Sequence, residues 1–260
     1  LASTPAKKAA VHVALAQKRV EEAETLAQRG TLTASTSAAL VANFESNAQS
    51  ADDIATEIEA SDPAVAVQIK TELSASSEVG GAVLAALGKK RGNREDTKEH
   101  AGALAIRVAA RAQSEKALSF ASGRGDGAAA PKTAVRAAAM TTLRATATAE
   151  PETTVNVAQE SMAARLEEKA QEALDAARKQ YAVASSTLGT TTVEVEATLA
   201  DIESLMSDGA RALGSLRYDA AIKDFTQALG RALRLRGLLK AQQSFNEHTI
   251  VPLLKFREQD

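Results

Sequence analysis

Two apolar seams near the end of the chain leave little freedom in what it can fold into. Tyr218, Ala221, Ile222, Phe225, Ala228, Leu229 and Ala232 recur at steps of three and four residues. That spacing lines up one face of a helix. Val195, Leu199, Ile202, Met206, Gly209 and Leu213 make a second seam just upstream. Two helices therefore fold back on each other around a turn near Gly214–Arg217. Composition extends the argument to the whole chain of 260 residues. Apolar residues make up 45% but aromatics only 3%, so the apolar content is chiefly alanine, leucine and valine. Small side chains with high helix propensity favour helices packed at close range. Glycine and proline collect between the periodic stretches rather than inside them. The fold class expected is all-α.

Read in order, the chain predicts a first helix over Pro5–Arg29, capped by Thr4, opened by Pro5 and closed by Gly30. Its seam is Ala9, Val13, Ala16, Val20, Ala23 and Ala27, with Glu21, Glu22 and Glu24 on or beside the wet face. A turn over Thr31–Ser37 leads to a second helix with Leu40, Phe44, Ala48, Ala51, Ile54 and Ile58 inward. Asp62-Pro63 ends that helix and caps a third, whose apolar face is Val65, Ile69, Leu73, Val79, Val83 and Leu87. Helices of this length span about 40 Å, and their short connections imply antiparallel neighbours.

Gly88 to Arg94 is a basic loop holding Lys89, Lys90, Arg91 and Arg94. A fourth helix is expected near Glu95–Ala121, with Leu104, Val108, Ala112 and Leu118 inward. Ser122 to Ala130 has the composition of a flexible linker, and a short alanine-rich helix should follow from Pro131 to about Ala147. The longest helix runs from Glu152 to about Leu188, on a seam of Met162, Leu166, Ala170, Ala173, Ala177, Tyr181, Ala184 and Leu188. The last helix should bend or fray near Gly237 and stop before Pro252. The domain division expected is a helical bundle over 1–122, a linker over 123–130 and a second bundle over 131–260. The two bundles are either separate or packed as one domain. Arg19-Val20-Glu21-Glu22 and Arg165-Leu166-Glu167-Glu168 hint at related first helices in two halves.

Tyr218-Asp219-Ala220-Ala221-Ile222-Lys223-Asp224-Phe225-Thr226-Gln227-Ala228-Leu229 resembles the second helix of a tetratricopeptide repeat, in which small alanines admit a neighbour's aromatic ring. Gly209 falls at that family's glycine. Asp208 and Arg211 depart from its large apolar and small positions, and no second copy follows. The resemblance implies a single repeat-like hairpin within a larger helical bundle.

Leu15 to Leu26, with Ile69 to Leu73 and Val83 to Leu87, resembles helical extracytoplasmic domains of bacterial membrane-anchored envelope proteins. In those proteins a membrane span and a short Pro-containing linker precede such a helix. The resemblance implies an anchor ahead of Leu1 and an extracytoplasmic location, and it carries over no functional residue. The start at Leu1 rather than methionine fits the removal of a preceding signal or anchor.

With 31 basic and 33 acidic residues the net charge is −2, so no global field recruits nucleic acid or a membrane surface. Cysteine is absent, which excludes disulfides and thiolate metal sites. No apolar run reaches the length of a membrane span, so membrane attachment is expected only through an anchor outside this chain. His12, His100 and His248 are far apart. Asp96 and His100 stand one helical turn apart, a spacing that suits a solvated ion pair better than a metal. No HExxH, P-loop, Gly-x-Ser-x-Gly or dinucleotide motif occurs.

The chain is accordingly expected to be non-enzymatic, with no catalytic, cofactor or metal residue. Two stretches offer themselves to a partner. Arg124-Gly125-Asp126, set among glycines, resembles the tripeptide of integrin-binding sites. Arg231, Arg234, Arg236 and Lys240 form a basic stripe on the last helix, for which a solvated face is the plainer account, while a glycine-rich linker produces the tripeptide readily. The function expected is a structural or protein-binding scaffold outside a bacterial membrane, with its partner and oligomeric state open. The alternative is a cytosolic adaptor or a nucleic-acid-associated coiled coil.

Overall fold

In the computed structural model, residues 4–89, 101, 105, 108, 151–188 and 192–245 are described. Among them the chain is all-α: six helices and no strand. These are α1 (Pro5–Gln28), α2 (Ala34–Ile58), α3 (Pro63–Lys89), α4 (Pro151–Leu188), α5 (Thr192–Gly214) and α6 (Tyr218–Phe245). The expected linker over 123–130, the helix over 131–147 and the tail beyond Phe245 lie outside the described residues. Of the expected fourth helix, Ala101, Ala105 and Val108 are described. They are helical, and they are buried in the same core as α1–α3.

Local chemistry explains the helix boundaries. The Thr4 side chain accepts from the Lys7 N–H, and Pro5, having no N–H, needs no acceptor at the first position. α2 begins earlier than the expected turn over Thr31–Ser37 allows. Thr33 and Thr36 satisfy each other's backbone N–H groups in a reciprocal cap, at 3.2 and 2.9 Å, so the helix starts at Ala34. At the start of α3 the Asp62 carboxylate accepts from the Val65 N–H, and Pro63 follows it. α6 does not break at Gly237. The missing side chain lets α3 come close, because a Cβ there would stand 3.0 Å from a Val79 methyl.

Side-chain contacts fix the direction of each pair. α5 and α6 are antiparallel, with Gly209 against Phe225 and Asp201 near Arg231. α4 and α5 also run in opposite senses, with Arg178 bonded to Glu203 and Tyr181 to Glu196. The pairs that skip a helix are parallel. Gln17 meets Ser76 and Val20 meets Gly80 between α1 and α3. Gln159 meets Asp219 and Gln180 meets Gln243 between α4 and α6. Across the middle, α3 and α6 are parallel too: Thr71 lies against Gly230, Glu78 against Arg234 and Val79 against Gly237. The sequence-based expectation of antiparallel neighbours thus describes consecutive helices within each half, whereas the contact joining the two halves is parallel.

α3 and α6 are the most enclosed helices because each packs against several others. Among positions 218–243, α6 exposes only Asp219, Lys223, Arg236 and Lys240. Its Leu238 and Ala241 enter the core built by α1–α3, while Leu229, Leu235 and Leu239 pack with α4 and α5. Val67 of α3 reaches into the cluster around Phe225. On α4 the innermost residues include Ala163 and Leu174, and the expected Met162 and Tyr181 are only partly covered.

The first helices of the two halves bury the same pattern. Val13, Ala16, Val20, Ala23, Glu24 and Ala27 on α1 correspond in order to Ala163, Leu166, Ala170, Ala173, Leu174 and Ala177 on α4. This register sets Val20 beside Ala170. It lies one turn away from the alignment suggested by the two Arg-x-Glu-Glu stretches, so that sequence likeness is not what relates the helices in space.

Candidate functional site

The expected basic stripe on α6 lies within the described residues. Helical spacing sends its members in different directions, and three of the four meet acids of other helices. Arg234 Nε stands 2.6 Å from Glu78 Oε2 of α3, a charge contact whose N–H is not aligned as a hydrogen bond. Arg231 lies 3.6 Å from Asp201 of α5. Lys240 donates to Glu21 of α1 at 2.7 Å. Arg236 is exposed. The stripe therefore stitches α6 to three neighbours, and its outward positive face is reduced to Arg236 and the well-exposed Lys240. The Arg231 and Lys240 pairs, open to water, each contribute about 0–1 kcal/mol. Their larger effect is to select partners and register.

A further ion pair joins the halves at the other end of α3. One guanidinium nitrogen of Arg165 on α4 donates to both oxygens of Asp62, at 2.9 and 3.0 Å, so the cap of α3 is also a clasp. Lys70 is buried and reaches Glu59 at 2.8 Å.

Arg124, Gly125, Asp126, His100, His248 and Asp96 lie outside the described residues, as do Lys90, Arg91 and Arg94. His12 is half-buried, with Nδ1 3.2 Å from Asn47 Oδ1, a polar bridge between α1 and α2. No group of three or more His, Cys, Asp or Glu side chains among the described residues is arranged to hold a metal ion. No described helix is long and apolar enough to cross a membrane.

One titratable residue departs from its expected place. Glu24 is buried, 7% exposed, rather than on the wet face. Burial, and after it the nearby Glu21 charge, push its carboxyl up to about 8 against the opposing pull of Lys240. The signal was present in the spacing, since Glu24 follows Val20 by four residues and precedes Ala27 by three. Its charge type outweighed its position in the sequence reading.

Among the described residues, exposed apolar side chains include Val11 in the body of α1 and several nearer helix ends. Leu216 is 72% exposed in the α5–α6 turn, Val157 lies near the start of α4, and Val183 and Val193 lie near the α4–α5 connection. No known family model, characterised protein or solved structure matches the chain.

Proposed function

We propose that this chain is a non-enzymatic helical scaffold that binds protein. In this reading it is an elongated bundle whose last two helices, α5 and α6, form a tetratricopeptide-like hairpin, and it works on the extracytoplasmic side of a bacterial membrane. The observation that carries the reading is the use made of polar chemistry. Arg231, Arg234 and Lys240 of α6 and Arg165 of α4 pair with acids of other helices rather than gathering around a cleft. Gly209 receiving the Phe225 ring supports the repeat-like hairpin. The stretches that resemble envelope proteins lie on α1 and α3, which pack together. The partner would meet Arg236, Lys240 and the Arg124–Asp126 tripeptide.

Capture from bacterial envelope extracts tests this. Wild type, a variant with His12, His100 and His248 changed to Gln, and an Arg236→Gln/Lys240→Gln variant are compared with and without EDTA. Capture should survive EDTA and loss of the histidines, because scaffold contacts need neither, and should weaken in the basic-residue variant. Abolition by EDTA or by the histidine changes alone would overturn the scaffold reading.

A further inference from the structure

Methionine is this chain's only source of sulfur: it has three, with no cysteine. Two of the three meet at one small apolar cluster, Met162 from α4 and Met206 from α5. The buried members of that cluster are Ala163 and Leu166 of α4, Ala212 of α5, and Ala221 and Phe225 of α6. Val67 of α3 packs on it as well, so four helices and both halves of the molecule meet here. Three of the five buried side chains are alanine. Leu166, Phe225 and the flanking side chains therefore supply most of the volume.

Both thioethers are half-buried, neither sealed in the core nor free in solvent. Met162 precedes the fully enclosed Ala163 and stands one turn before Leu166. Met206 stands one turn before Gly209, the glycine that receives the Phe225 ring. It also packs against the neighbouring cluster around Ile202. A flexible thioether suits such a place, because it fills irregular gaps between stiffer side chains. The same place makes it vulnerable. A sulfur within reach of small oxidants is open to conversion to the sulfoxide, which turns an apolar side chain into a polar one. If the S=O dipole stays against alanine, leucine and phenylalanine, its burial is unfavourable. If it swings into water, the side chains it leaves behind lose their packing partner.

We propose that Met162 and Met206 form an oxidation-responsive site, whose conversion to sulfoxide loosens α4 from the α5–α6 hairpin around Phe225. The oxidant is a small peroxide. A sulfur lone pair attacks one peroxide oxygen and the O–O bond breaks. The departing hydroxide takes the proton of the transferred hydroxyl and leaves as water. Each thioether is oxidised by two electrons and the peroxide is reduced by two, so no other reagent enters. The core built by α1–α3 includes no methionine among the described residues. The response is thus confined to the second half and its contact with α3.

The folded protein is treated with dilute hydrogen peroxide, and mass spectrometry of its peptides locates each added oxygen. Met162 and Met206 should each gain one, and the melting temperature should fall by on the order of 5 °C. Treatment with methionine sulfoxide reductases for both epimers should restore it, because this lesion is reversible. Met162→Leu/Met206→Leu is a swap that cores tolerate well, and that variant should keep its melting temperature under peroxide. Each single change should keep part of the loss, and Met140→Leu should lose as much as wild type. The reductase arm needs no substitution, so it decides the matter even if the double variant folds poorly. Failure of both methionines to take up oxygen in the folded protein would overturn the site. So would oxidation that leaves melting unchanged, a loss the reductases cannot reverse, or an equal loss in the folded double variant.

Discussion

Phe225 rests against the backbone of Gly209 so closely that a Cβ on that glycine would stand 2.7 Å from the ring's Cε1. The ring is fully buried, in a cluster with Ala163, Leu166, Ala212 and Ala221. Glycine inside a helix ordinarily costs about 1 kcal/mol relative to alanine. Here the close approach reverses the balance. Gly209→Ala should destabilise the protein by about 1–3 kcal/mol, the usual range for overpacking, and Phe225→Ala by about 3–5 kcal/mol. Urea unfolding of both variants checks the pair. A Gly209→Ala protein as stable as wild type would mean that α5 and α6 are not in this contact.

Gly80 and Gly214 make a sharper internal comparison. A Cβ at Gly80 would come within 2.2 Å of a Val20 methyl, on a β-branched side chain with little room to turn, whereas one at Gly214 meets nothing within 4 Å. Gly80→Ala should therefore lower the unfolding midpoint more than Gly209→Ala. Gly214→Ala should leave it unchanged or raise stability by about 0.4–1 kcal/mol. Thermal unfolding of the series gives the order. Equal effects at the three sites would show that helix propensity, rather than packing between helices, governs them.

Much of this framework was legible from periodicity. Ala9, Val13, Ala16, Val20, Ala23 and Ala27 are all buried, as their spacing predicts. The all-α class follows from the same signal repeated along the chain. What escaped was set by neighbours rather than by local sequence. Tyr218 was expected to anchor the hairpin with Phe225, yet it opens α6 and is only half-covered. Val65 and Val79 were expected on the apolar face of α3 and are only partly buried, while Ser74, Ser77 and Thr71 are inside. A helix enclosed by several partners no longer has one wet face, so amphipathic spacing underdetermines it. Small polar side chains can also be accommodated locally, as Ser77 shows by donating to the Leu73 carbonyl at 2.8 Å. The basic stripe on α6 was visible as composition. Its pairing with Glu78, Asp201 and Glu21 depends on tertiary register, which no local pattern encodes.

The α5–α6 turn holds a correctable strain. α1 and α5 end in the same hydrogen-bond pattern. Gly30 bonds Ala27 and Thr31 bonds Leu26, just as Leu216 bonds Leu213 and Arg217 bonds Ala212. The residue in the left-handed conformation is glycine in the first case, at φ 67, and leucine in the second, at φ 57. A Cβ in that region costs about 1–2 kcal/mol, and Leu216 is too exposed to recover it by packing. Leu216→Gly should therefore stabilise the protein by about 0.5–1 kcal/mol, the relief of strain outweighing the added freedom of the unfolded chain. Leu216→Val should destabilise it through its β-branch. Calorimetric melting of the two variants should give shifts of opposite sign. A lower melting temperature for Leu216→Gly would mean that the leucine makes contacts its exposure does not suggest.

The enclosed carboxyl also makes a prediction for global stability. Folding raises the Glu24 value from an ordinary 4.5 to about 8, chiefly through burial. The unfolded chain releases this proton near pH 4.5, while the folded chain holds it until near pH 8. Its stabilising contribution is thus complete below about 4.5, declines as pH rises through the interval, and is exhausted above about 8. The slope contributed by a single group is at most about 1.4 kcal/mol per pH unit. Replacing Glu24 by Leu, the residue its counterpart Leu174 supplies on α4, should remove that slope. The gain over wild type should be greatest on the alkaline side. Glu24→Gln should flatten the same interval with a smaller gain, because a neutral amide still has to be buried without a described partner. Urea midpoints measured from about pH 5 to about pH 9 decide the matter. A wild-type profile that rises with pH across this interval, or one identical to that of Glu24→Leu, would show that Glu24 is ionised in the folded protein and reached by water.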